Sequence, residues 1–500
     1  MTDHGDFDLI VVGGGVNGAG IARDAAGRGL STLLIEKDDL AQGTSSRSGK
    51  LVHGGLRYLE YFEFRLVREA LFEREVLLRA APHIVWPMRF VLPHSPEQRP
   101  AWLIRMGLFL YDHLGGRRLL PATRTLDLRT APEGAPLRKD FVRAFEYSDC
   151  WVDDARLVVL NALDASRRGA RVLTRTSFDS GRRVGDKWHV TLRSNDLGES
   201  SARCRALVNA AGPWVENVLG ATGVKSLNRV RLVKGSHIIT RKFWHGEHAY
   251  LLQNNDKRVI FVNPYEKDLA LIGTTDVPFS GRADEVAIDG HEIDYLIAVV
   301  NRYFVKGPSR GDVIGAFSGV RPLFDDETTD ASAVTRDYVF ELAASSDEAP
   351  LLSVFGGKIT TFRRLAEQAL KSLAPFFPAM KPAWTEWSPL PGGDFEPLDF
   401  AAFLDAERCR YPWLPLDVAR GYARRYGTRM RKLLAGASSL DDLGRRLGPE
   451  FFEREARFLV VEEWARTADD ILERRTKHYL HLSEDERVEF ESWFNGLRDR

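Results

Sequence analysis

The chain has 500 residues, of which 44% are hydrophobic, and its 70 basic and 70 acidic side chains give a formal net charge of zero. This length predicts two or three lobes, because single hydrophobic cores stop growing at roughly 250 to 300 residues, and the balanced charge argues against a protein that binds nucleic acid through overall electrostatics. Cys150, Cys204 and Cys409 lie far apart in no CxxC or Cys/His spacing, so we expect no disulfide framework, no metal site and a reducing cytoplasm.

The first predicted unit is a βαβ segment over residues 8–37, DLIVVGGGVNGAGIARDAAGRGLSTLLIEK. Its turn has the GxGxxG spacing through Gly13, Gly15 and Gly18. In a dinucleotide site the first glycine permits a tight turn, the second lets the backbone approach a pyrophosphate, and the third lets helix and strand pack closely. Glu36 ends the second strand, where an acid accepts hydrogen bonds from a ribose. The segment therefore predicts a dinucleotide site rather than an ordinary turn, without choosing between NAD and FAD.

The next stretch, SRSGKLVHGGLRYLE (residues 46–60), combines two arginines, a lysine, a histidine and three glycines. Most of it has neither helical nor strand periodicity. The residues alone leave a solvated basic loop and a binding site as open interpretations.

Residues 99–118, RPAWLIRMGLFLYDHLGGRR, mix arginines with large apolar side chains. The segment is too short and too charged to span a bilayer, and no run in the chain approaches the 18 or so apolar residues of a membrane span. The sequence favours a core helix that ends at Gly115, with a helix lying in a membrane interface as the alternative. Because no signal peptide pattern precedes residue 8, we expect the protein to stay inside the cell.

Two later segments, residues 205–219 and 351–370, repeat the change from apolar strand to glycine to helix, at Gly212 and Gly357. Two further turns of this kind can point backbone amides at one bound molecule. A cofactor held at both ends by distant pieces of chain suits FAD better than an exchangeable nicotinamide.

From about residue 389 the composition changes. The segment SPLPGGDFEPLDF is rich in proline and glycine, and amphipathic helices are predicted after it. Thr467 and Asp470 have the spacing of a helix-starting cap.

The motifs that carry a family resemblance are, in chain order, GGGVNGAG, LIEKDDLAQGTSSRSGKLVHGGLRYLE, KGSHII, IGTTD, GVRPL, TRDY and FGGKITTFR. Over nearly the whole chain they resemble the FAD-dependent, membrane-associated glycerol-3-phosphate dehydrogenases of the bacterial respiratory type. The resemblance implies an α/β fold with an FAD-binding Rossmann-like domain of the glutathione-reductase/amino-acid-oxidase type, an antiparallel-sheet substrate domain and an α-helical C-terminal cap. The expected limits are 1–75, 150–235 and 320–385 for the FAD domain, 76–149 and 236–319 for the substrate domain, and 390–500 for the cap.

The same resemblance implies an activity. The family oxidises sn-glycerol 3-phosphate to dihydroxyacetone phosphate by hydride transfer to FAD and passes the electrons to quinone, from the cytoplasmic face of the cell membrane. We expect residues 99–118 and the basic cap residues Arg474, Arg475 and Lys477 to meet anionic lipid headgroups. A homodimer is left open.

Phosphate binding is the clearest role among the residues that the resemblance implies. Arg321 and Arg336 are similar to the family's phosphate ligands, and Arg57 and Lys358 are expected to converge on the same substrate. Arginine suits this role because its planar fork matches phosphate oxygens. The other expected wall and donor residues of the pocket are Tyr58 and Thr274.

The proton acceptor is less defined, with His237, His53 and an arginine-bound water as alternatives. Histidine is suitable because its ordinary pKa lies near working pH. The expected catalytic residues are His237, His53 and Arg57. The expected cofactor-binding residues are Gly13, Gly15, Gly18, Glu36, Ser45, Ser46, Lys50, Leu51, His53, Gly212, Gly357, Lys358 and Thr360.

Three other functions remain open from the sequence. The nearest is a glycerol-3-phosphate oxidase that uses oxygen as its acceptor. An amine oxidase of similar flavin fold is less favoured, because its substrates carry a carboxylate and no phosphate, for which four cations are too many. The third is a non-enzymatic flavin-binding module.

Overall fold

The computed structural model of the chain describes residues 2–116, 119–196, 198–256, 258–325, 337–344 and 348–498. The strands are β1 (Thr2–Val12), β2 (Thr32–Ile35), β3 (Leu51–Val52), β4 (Val85–His94), β5 (Arg124–Asp127), β6 (Arg143–Val152), β7 (Arg171–Leu173), β8 (Thr176–Val184), β9 (Lys187–Ser194), β10 (Gly198–Asn209), β11 (Val230–Arg241), β12 (Ala249–Gln253), β13 (Val259–Tyr265), β14 (Leu269–Gly273), β15 (Val277–Pro278), β16 (Val313–Phe324), β17 (Tyr338–Ala343), β18 (Leu351–Gly356), β19 (Arg446–Gly448) and β20 (Phe451–Phe452).

The α-helices of these residues are α1 (Val16–Gly27), α2 (Phe64–Ala80), α3 (Ala101–Leu114), α4 (Asp154–Arg167), α5 (Val215–Thr222), α6 (Gly290–Tyr303), α7 (Phe362–Leu373), α8 (Phe400–Arg410), α9 (Leu416–Tyr426), α10 (Met430–Leu433), α11 (Glu453–Glu463) and α12 (Glu484–Arg498).

The first sheet is built around β1, which pairs in parallel with β2 and β10. Its main order is β17-β18-β10-β1-β2-β7, and the β8–β9 hairpin joins through β10. Residues 9–12 of β1 are buried on both faces. Leu9 and Val11 contribute to the core that contains α1, α4 and α7, while Ile10 and Val12 pack in a core on the other face. Such two-sided burial explains the unbroken apolar run of this strand, and the predicted βαβ unit is confirmed.

The second sheet is antiparallel except for the β12–β4 pair, and its main order is β15-β11-β14-β13-β12-β4-β6-β3. Strand β16 pairs with β11 over nearly its whole length. Because β11 and β16 run across residues 235/236 and 319/320, single strands cross two of the predicted domain limits. Strand β3 belongs to this sheet although residues 1–75 were assigned to the FAD domain. The domain limits stay a prediction.

Residues from Phe400 onward form the predicted helical cap, which has its own core. Thr467 and Asp470 cap each other reciprocally, because the Thr467 amide donates to the Asp470 carboxylate at 3.0 Å and the Asp470 amide donates to Thr467 Oγ1 at 3.2 Å. The cap is joined to α4 by an ion pair in which Arg156 Nη2 donates to Glu463 Oε1 at 2.9 Å. Both of these side chains are fully buried.

The basic cap residues do not form a lipid-facing surface, so that expectation is wrong. Arg474, Arg475 and Lys477 are only 6%, 0% and 4% exposed. Arg474 and Arg475 both pair with Asp39 at 2.7 Å, and Lys477 pairs with Asp153 at 2.5 Å. These carboxylates lie in the body of the protein, so the three cations join cap to body.

Helix α3 lies at the surface, so the prediction of a core helix is wrong for its outer face. Leu108 and Tyr111 are its buried residues. Trp102 is 68% exposed and Phe109 is 53% exposed, and Met106 lies beside them on the outer face. Within the described residues, no helix combines the length and apolar character needed to cross a membrane.

Candidate active site

A cavity of about 1810 Å³ extends from the ends of the parallel strands of the first sheet to one face of the second sheet. Most of the predicted site residues line it, although they come from distant parts of the chain. These residues are Gly13, Gly15, Glu36, Ser45, Leu51, His53, Arg57, Tyr58, Gly212, His237, Thr274, Arg321, Gly357 and Lys358. Arg336 lies outside the described residues.

The glycine turn between β1 and α1 forms one end of the cavity. Gly13 has a φ of +111°, a conformation that favours glycine. A Cβ on Gly18 would lie 1.8 Å from the Gly13 carbonyl oxygen, so only glycine allows helix and turn to pack this closely. The amide of Val16, at the start of α1, donates to Ser45 Oγ at 2.9 Å. Gly18 therefore shapes the turn from behind, while Gly13 and Gly15 face the cavity.

Glu36 lies at the carboxyl end of β2, beside this turn. Its two carboxylate oxygens accept from the amides of Gly14 at 2.6 Å and Asp38 at 2.9 Å. Burial raises the pKa of Glu36 to about 7, although both amides act to lower it. A carboxylate lining this end of the cavity can accept hydrogen bonds from a ribose.

Together, these residues fit FAD. The turn leaves the Gly15 backbone open to the cavity, and a Cβ there would come within 3.1 Å of Ser45 Oγ. The helix N-terminus and its amides suit a pyrophosphate. Gly212 and Gly357 line the same cavity from the turns after β10 and β18, as predicted for a molecule held by distant pieces of chain.

Ser46, Lys50 and Thr360 lie behind the cavity wall rather than among the residues that line it. The Lys50 ammonium is buried and pairs with Asp154 at 2.8 Å. It also donates to the Ser46 carbonyl at 3.2 Å. Lys50 therefore anchors the loop to α4, which is a structural contact that its motif did not indicate.

The segment around His53 joins several predicted residues. Lys358 Nζ donates to the His53 carbonyl at 2.6 Å, and Thr360 Oγ1 donates to the same oxygen at 3.2 Å. The Lys358 ammonium also lies 5.4 Å from the centroid of the Tyr58 ring. Burial lowers the pKa of His53 well below its usual value, and the nearby charges of Lys358 and Arg321 lower it further.

Arg321, on β16, is held by two residues of the predicted IGTTD motif. Its Nη2 donates to Thr274 Oγ1 at 3.0 Å, and its Nη1 pairs with Asp276. The Arg321 side chain remains 30% exposed and lines the cavity. Arg57 also lines the cavity, where its Nη2 is 3.5 Å from Tyr61 OH.

His237, on β11, is buried and lines the same cavity. Its ring stacks on Phe317 with 4.9 Å between centroids, and its Nδ1 has no hydrogen-bond partner among the described residues. Burial, followed by the charges of Arg321 and Lys50, lowers the pKa of His237 to about 3. The imidazole is therefore neutral at physiological pH and, in the free protein, a weak base.

Sequence reasoning missed Asp149 and Asn263, two buried polar residues of the cavity wall. Asn263 interrupts the apolar strand β13, which is the signal that could have identified it, whereas β6 also contains Glu146 and Ser148, so its sequence does not single out Asp149. Asn263 Nδ2 donates to the Gly49 carbonyl at 3.4 Å, while its Oδ1 has no partner among the described residues.

Comparison with known families supports this cofactor. Residues 8–363 match the family described as FAD dependent oxidoreductase, and residues 383–487 match the C-terminal domain of alpha-glycerophosphate oxidase. The solved structure of glycerol-3-phosphate dehydrogenase from Bacillus halodurans, complexed with FAD, superposes with a TM-score of 0.76 at 26% identity. That match covers 98% of this chain and 94% of the other.

Two curated relatives are similar over almost their whole length. D-erythritol 1-phosphate dehydrogenase of Brucella abortus is 62% identical over 498 residues, covering 99% of each chain. Aerobic glycerol-3-phosphate dehydrogenase of Escherichia coli is 51% identical over 490 residues, covering 97% of each chain. The chain therefore belongs to the FAD-dependent glycerol-3-phosphate dehydrogenase family.

Proposed function

We propose that this enzyme oxidises sn-glycerol 3-phosphate to dihydroxyacetone phosphate and passes the electrons to a membrane quinone. The observation that carries the proposal is that Arg57, Arg321 and Lys358 all line the cavity that fits FAD. Three cations from distant segments suit a phosphate dianion, and charge-assisted hydrogen bonds of this kind contribute about 1.5 to 3 kcal/mol each.

The reaction requires a hydride acceptor, a proton acceptor and a fixed carbinol carbon. Bound FAD supplies the hydride acceptor, and the remaining roles fall to side chains of the cavity. Arg57, Arg321 and Lys358 hold the phosphate, and Thr274 orients Arg321. Arg336, predicted for the same clamp, stays a proposal.

The neutral imidazole of His237 is the proposed acceptor of the hydroxyl proton. In the free protein burial, followed by the charge of Arg321, keeps the pKa of His237 near 3. A phosphate bound by Arg321 offsets that charge and makes the imidazole a stronger base. His53 is the alternative acceptor, but its own backbone carbonyl, rather than its ring, makes the contacts with Lys358 and Thr360.

A second candidate substrate is D-erythritol 1-phosphate. One specific observation favours it: the relative that carries this name is 62% identical, whereas the Escherichia coli glycerol-3-phosphate dehydrogenase is 51% identical. Both substrates present a phosphate and a secondary alcohol, so the same clamp serves both. They differ by one carbon with its hydroxyl, which a polar extension of the cavity must accommodate.

Attachment to the inner face of the cell membrane is part of the proposal, because quinone resides in the bilayer. The outer face of α3 supports it, with Trp102, Met106 and Phe109 exposed next to Arg105. Phe62, which is 78% exposed, lies in the cavity lining together with Met106. An apolar surface with an arginine suits an interface position that does not span the bilayer. A homodimer stays a prediction.

The test combines substrates with acceptors. Purified enzyme is assayed with sn-glycerol 3-phosphate, D-erythritol 1-phosphate, and glycerol as the control without phosphate, each with a soluble quinone and with oxygen. We expect turnover of a phosphorylated polyol, quinone reduction that is much faster than peroxide formation, and no turnover of glycerol. Oxygen reduced as fast as quinone would favour the oxidase, and flavin that no polyol phosphate reduces would contradict the proposed activity.

A further inference from the structure

The substrate-side loop that begins at His53 is attached to a buried polar cluster. The amide of Gly54 donates to Tyr111 OH at 2.7 Å and lies 3.3 Å from Asp149 Oδ1. Tyr111 comes from α3 and Asp149 from β6, so two otherwise separate elements meet at one backbone amide. All three residues are buried.

The hydrogen-bond directions in this cluster follow from its charges. Asp149 pairs with Arg74 Nη1 at 2.7 Å and accepts the phenolic proton of Tyr111 at 2.8 Å. Burial raises the pKa of Tyr111 well above its usual value, so the phenol is protonated. Because the single hydroxyl proton of Tyr111 is donated to Asp149, the phenolic oxygen accepts the hydrogen bond from the Gly54 amide.

The glycines of the HGGLRY motif are explained by this contact. A Cβ on Gly54 would lie 2.4 Å from Leu71 Cδ2 and 2.7 Å from Tyr111 OH. Gly55 has a φ of +79°, which favours glycine. The first glycine thus permits close approach to the cluster, and the second turns the chain toward Arg57.

The position of Gly54 controls groups on the substrate side. The preceding residue, His53, provides the carbonyl that binds Lys358 at 2.6 Å, and Arg57 follows three residues later. We propose that Tyr111 and Asp149 are positioning residues, which fix the Gly54 amide and thereby place Arg57 and Lys358 for the substrate phosphate. The proposal rests on the proposed function for the identity of that substrate.

The same bond connects the loop with the surface helix α3. Tyr111 faces inward from that helix, while Trp102, Met106 and Phe109 are exposed on the outer face. The Tyr111 phenol therefore connects α3 with the substrate loop, in addition to the packing of Leu108 and Ile104 of this helix in one core cluster with Leu56 and Leu59.

The test is the variant Tyr111→Phe, which removes the hydroxyl and keeps the ring. The variant loses the bond from the Gly54 amide to the phenol and the bond from the phenol to Asp149. Because the first of these holds the loop, we expect the KM for the phosphorylated polyol to rise roughly fivefold to tenfold, with kcat nearly unchanged. Hydrogen exchange in peptides covering residues 50–60 is expected to become faster. The FAD content should equal that of the wild type.

The matched control is Tyr250→Phe. Tyr250 is also buried, and its hydroxyl donates to the Glu133 carbonyl at 2.7 Å, away from the cavity lining. This variant loses a comparable hydrogen bond, so it should lose stability without a change in KM or in exchange over residues 50–60.

Two results would overturn the proposal: unchanged exchange in Tyr111→Phe, or faster exchange with the KM of the wild type. The exchange measurement does not depend on which substrate the enzyme uses. A wild-type flavin that neither polyol phosphate reduces would contradict the proposed function, while the exchange data would still decide whether Tyr111 fixes the loop.

Discussion

Arginines in two regions of this molecule have different surroundings. At the interface between cap and body, Arg156 and Arg475 are fully buried and each pairs with a carboxylate that is itself buried. At the proposed substrate end of the cavity, Arg321 also pairs with a carboxylate, Asp276, but its side chain is 30% exposed and lines the cavity, as Arg57 does. A guanidinium whose charge is enclosed by carboxylates stabilises the fold, whereas one facing a cavity is available to an anionic ligand.

The interface also supports the cofactor end of the cavity. Asp39, which pairs with Arg474 and Arg475, follows Glu36 by three residues. The Arg175 side chain donates to Asp470 of the cap at 2.7 Å, and its amide donates to the Asp38 carbonyl. The cap therefore braces the loop that follows Glu36, the residue proposed to bind the ribose.

The largest expected effect comes from breaking the buried interface. Glu463→Ala leaves Arg156 and Arg429 without this carboxylate, and removing one partner of a buried ion pair costs about 3 to 5 kcal/mol. The free energy of unfolding from denaturant titration should fall by that amount.

Arg310→Ala is the control for this prediction. Arg310 forms an exposed pair with Asp294, and exposed pairs contribute about 0 to 1 kcal/mol. Equal losses in the two variants would show that burial does not distinguish these pairs.

A change at the substrate end should affect activity rather than stability. Arg321→Ala is expected to cost about 1.5 to 3 kcal/mol of transition-state stabilisation, which lowers kcat/KM roughly tenfold to 150-fold, while FAD stays bound. Arg336→Ala, outside the described residues, is expected to behave similarly. Steady-state kinetics and the flavin spectrum provide the measurements, and wild-type kcat/KM in both variants would place the phosphate clamp elsewhere.

Membrane attachment should depend on α3 rather than on the cap. The double variant Trp102→Ser, Phe109→Ser removes two exposed apolar side chains. Each partly inserted side chain contributes about 1 kcal/mol to membrane binding, so the partition of the variant onto anionic vesicles should weaken more than tenfold. Sedimentation with vesicles measures this partition.

The matched control in the cap is Val461→Ser. Val461 is 78% exposed on α11, so its change should leave vesicle binding unaltered. If the control lost binding and the α3 variant kept it, the cap would be the attached surface.

The smallest expected effect is a pH dependence of FAD binding. The pKa of Glu36 is raised to about 7 in the free protein, and ribose hydroxyls donate to the ionised carboxylate, so binding favours loss of the proton. FAD affinity should therefore rise with pH up to about 7 and then level off, with a slope of at most tenfold per pH unit. Fluorescence titration of deflavinated protein measures it, and Glu36→Gln should flatten the profile. An affinity that falls with rising pH would contradict this role.

The fold was largely predictable because its signals are local or belong to extended motifs. Strand, glycine turn, helix and acid occur within residues 8–37, and the resemblance correctly indicated two sheet regions and a helical cap. Motifs also singled out Arg57, Arg321 and Lys358, which all line the cavity, while their role in phosphate binding stays a prediction.

What was not predictable depends on contacts between distant residues. The local sequence predicts that Arg474 lies at the surface. It is buried because it pairs with Asp39, which lies 435 residues away in the sequence. The Gly54 amide contacts Tyr111, which lies 57 residues away in the sequence, and Asp149, which lies 95 residues away. The mixture of arginines and large apolar side chains in residues 99–118 indicated a helix but not which side of it the rest of the chain would cover.

The most direct test of the central claim is an anaerobic titration of the purified enzyme with sn-glycerol 3-phosphate and with D-erythritol 1-phosphate, followed by the visible flavin spectrum. We predict that at least one of these compounds bleaches the flavin completely. Arg321→Ala should require much more substrate for the same change, whereas Glu463→Ala, while it remains folded, should require the same amount as the wild type. A spectrum that neither compound alters, or an Arg321→Ala titration identical to that of the wild type, would contradict this claim.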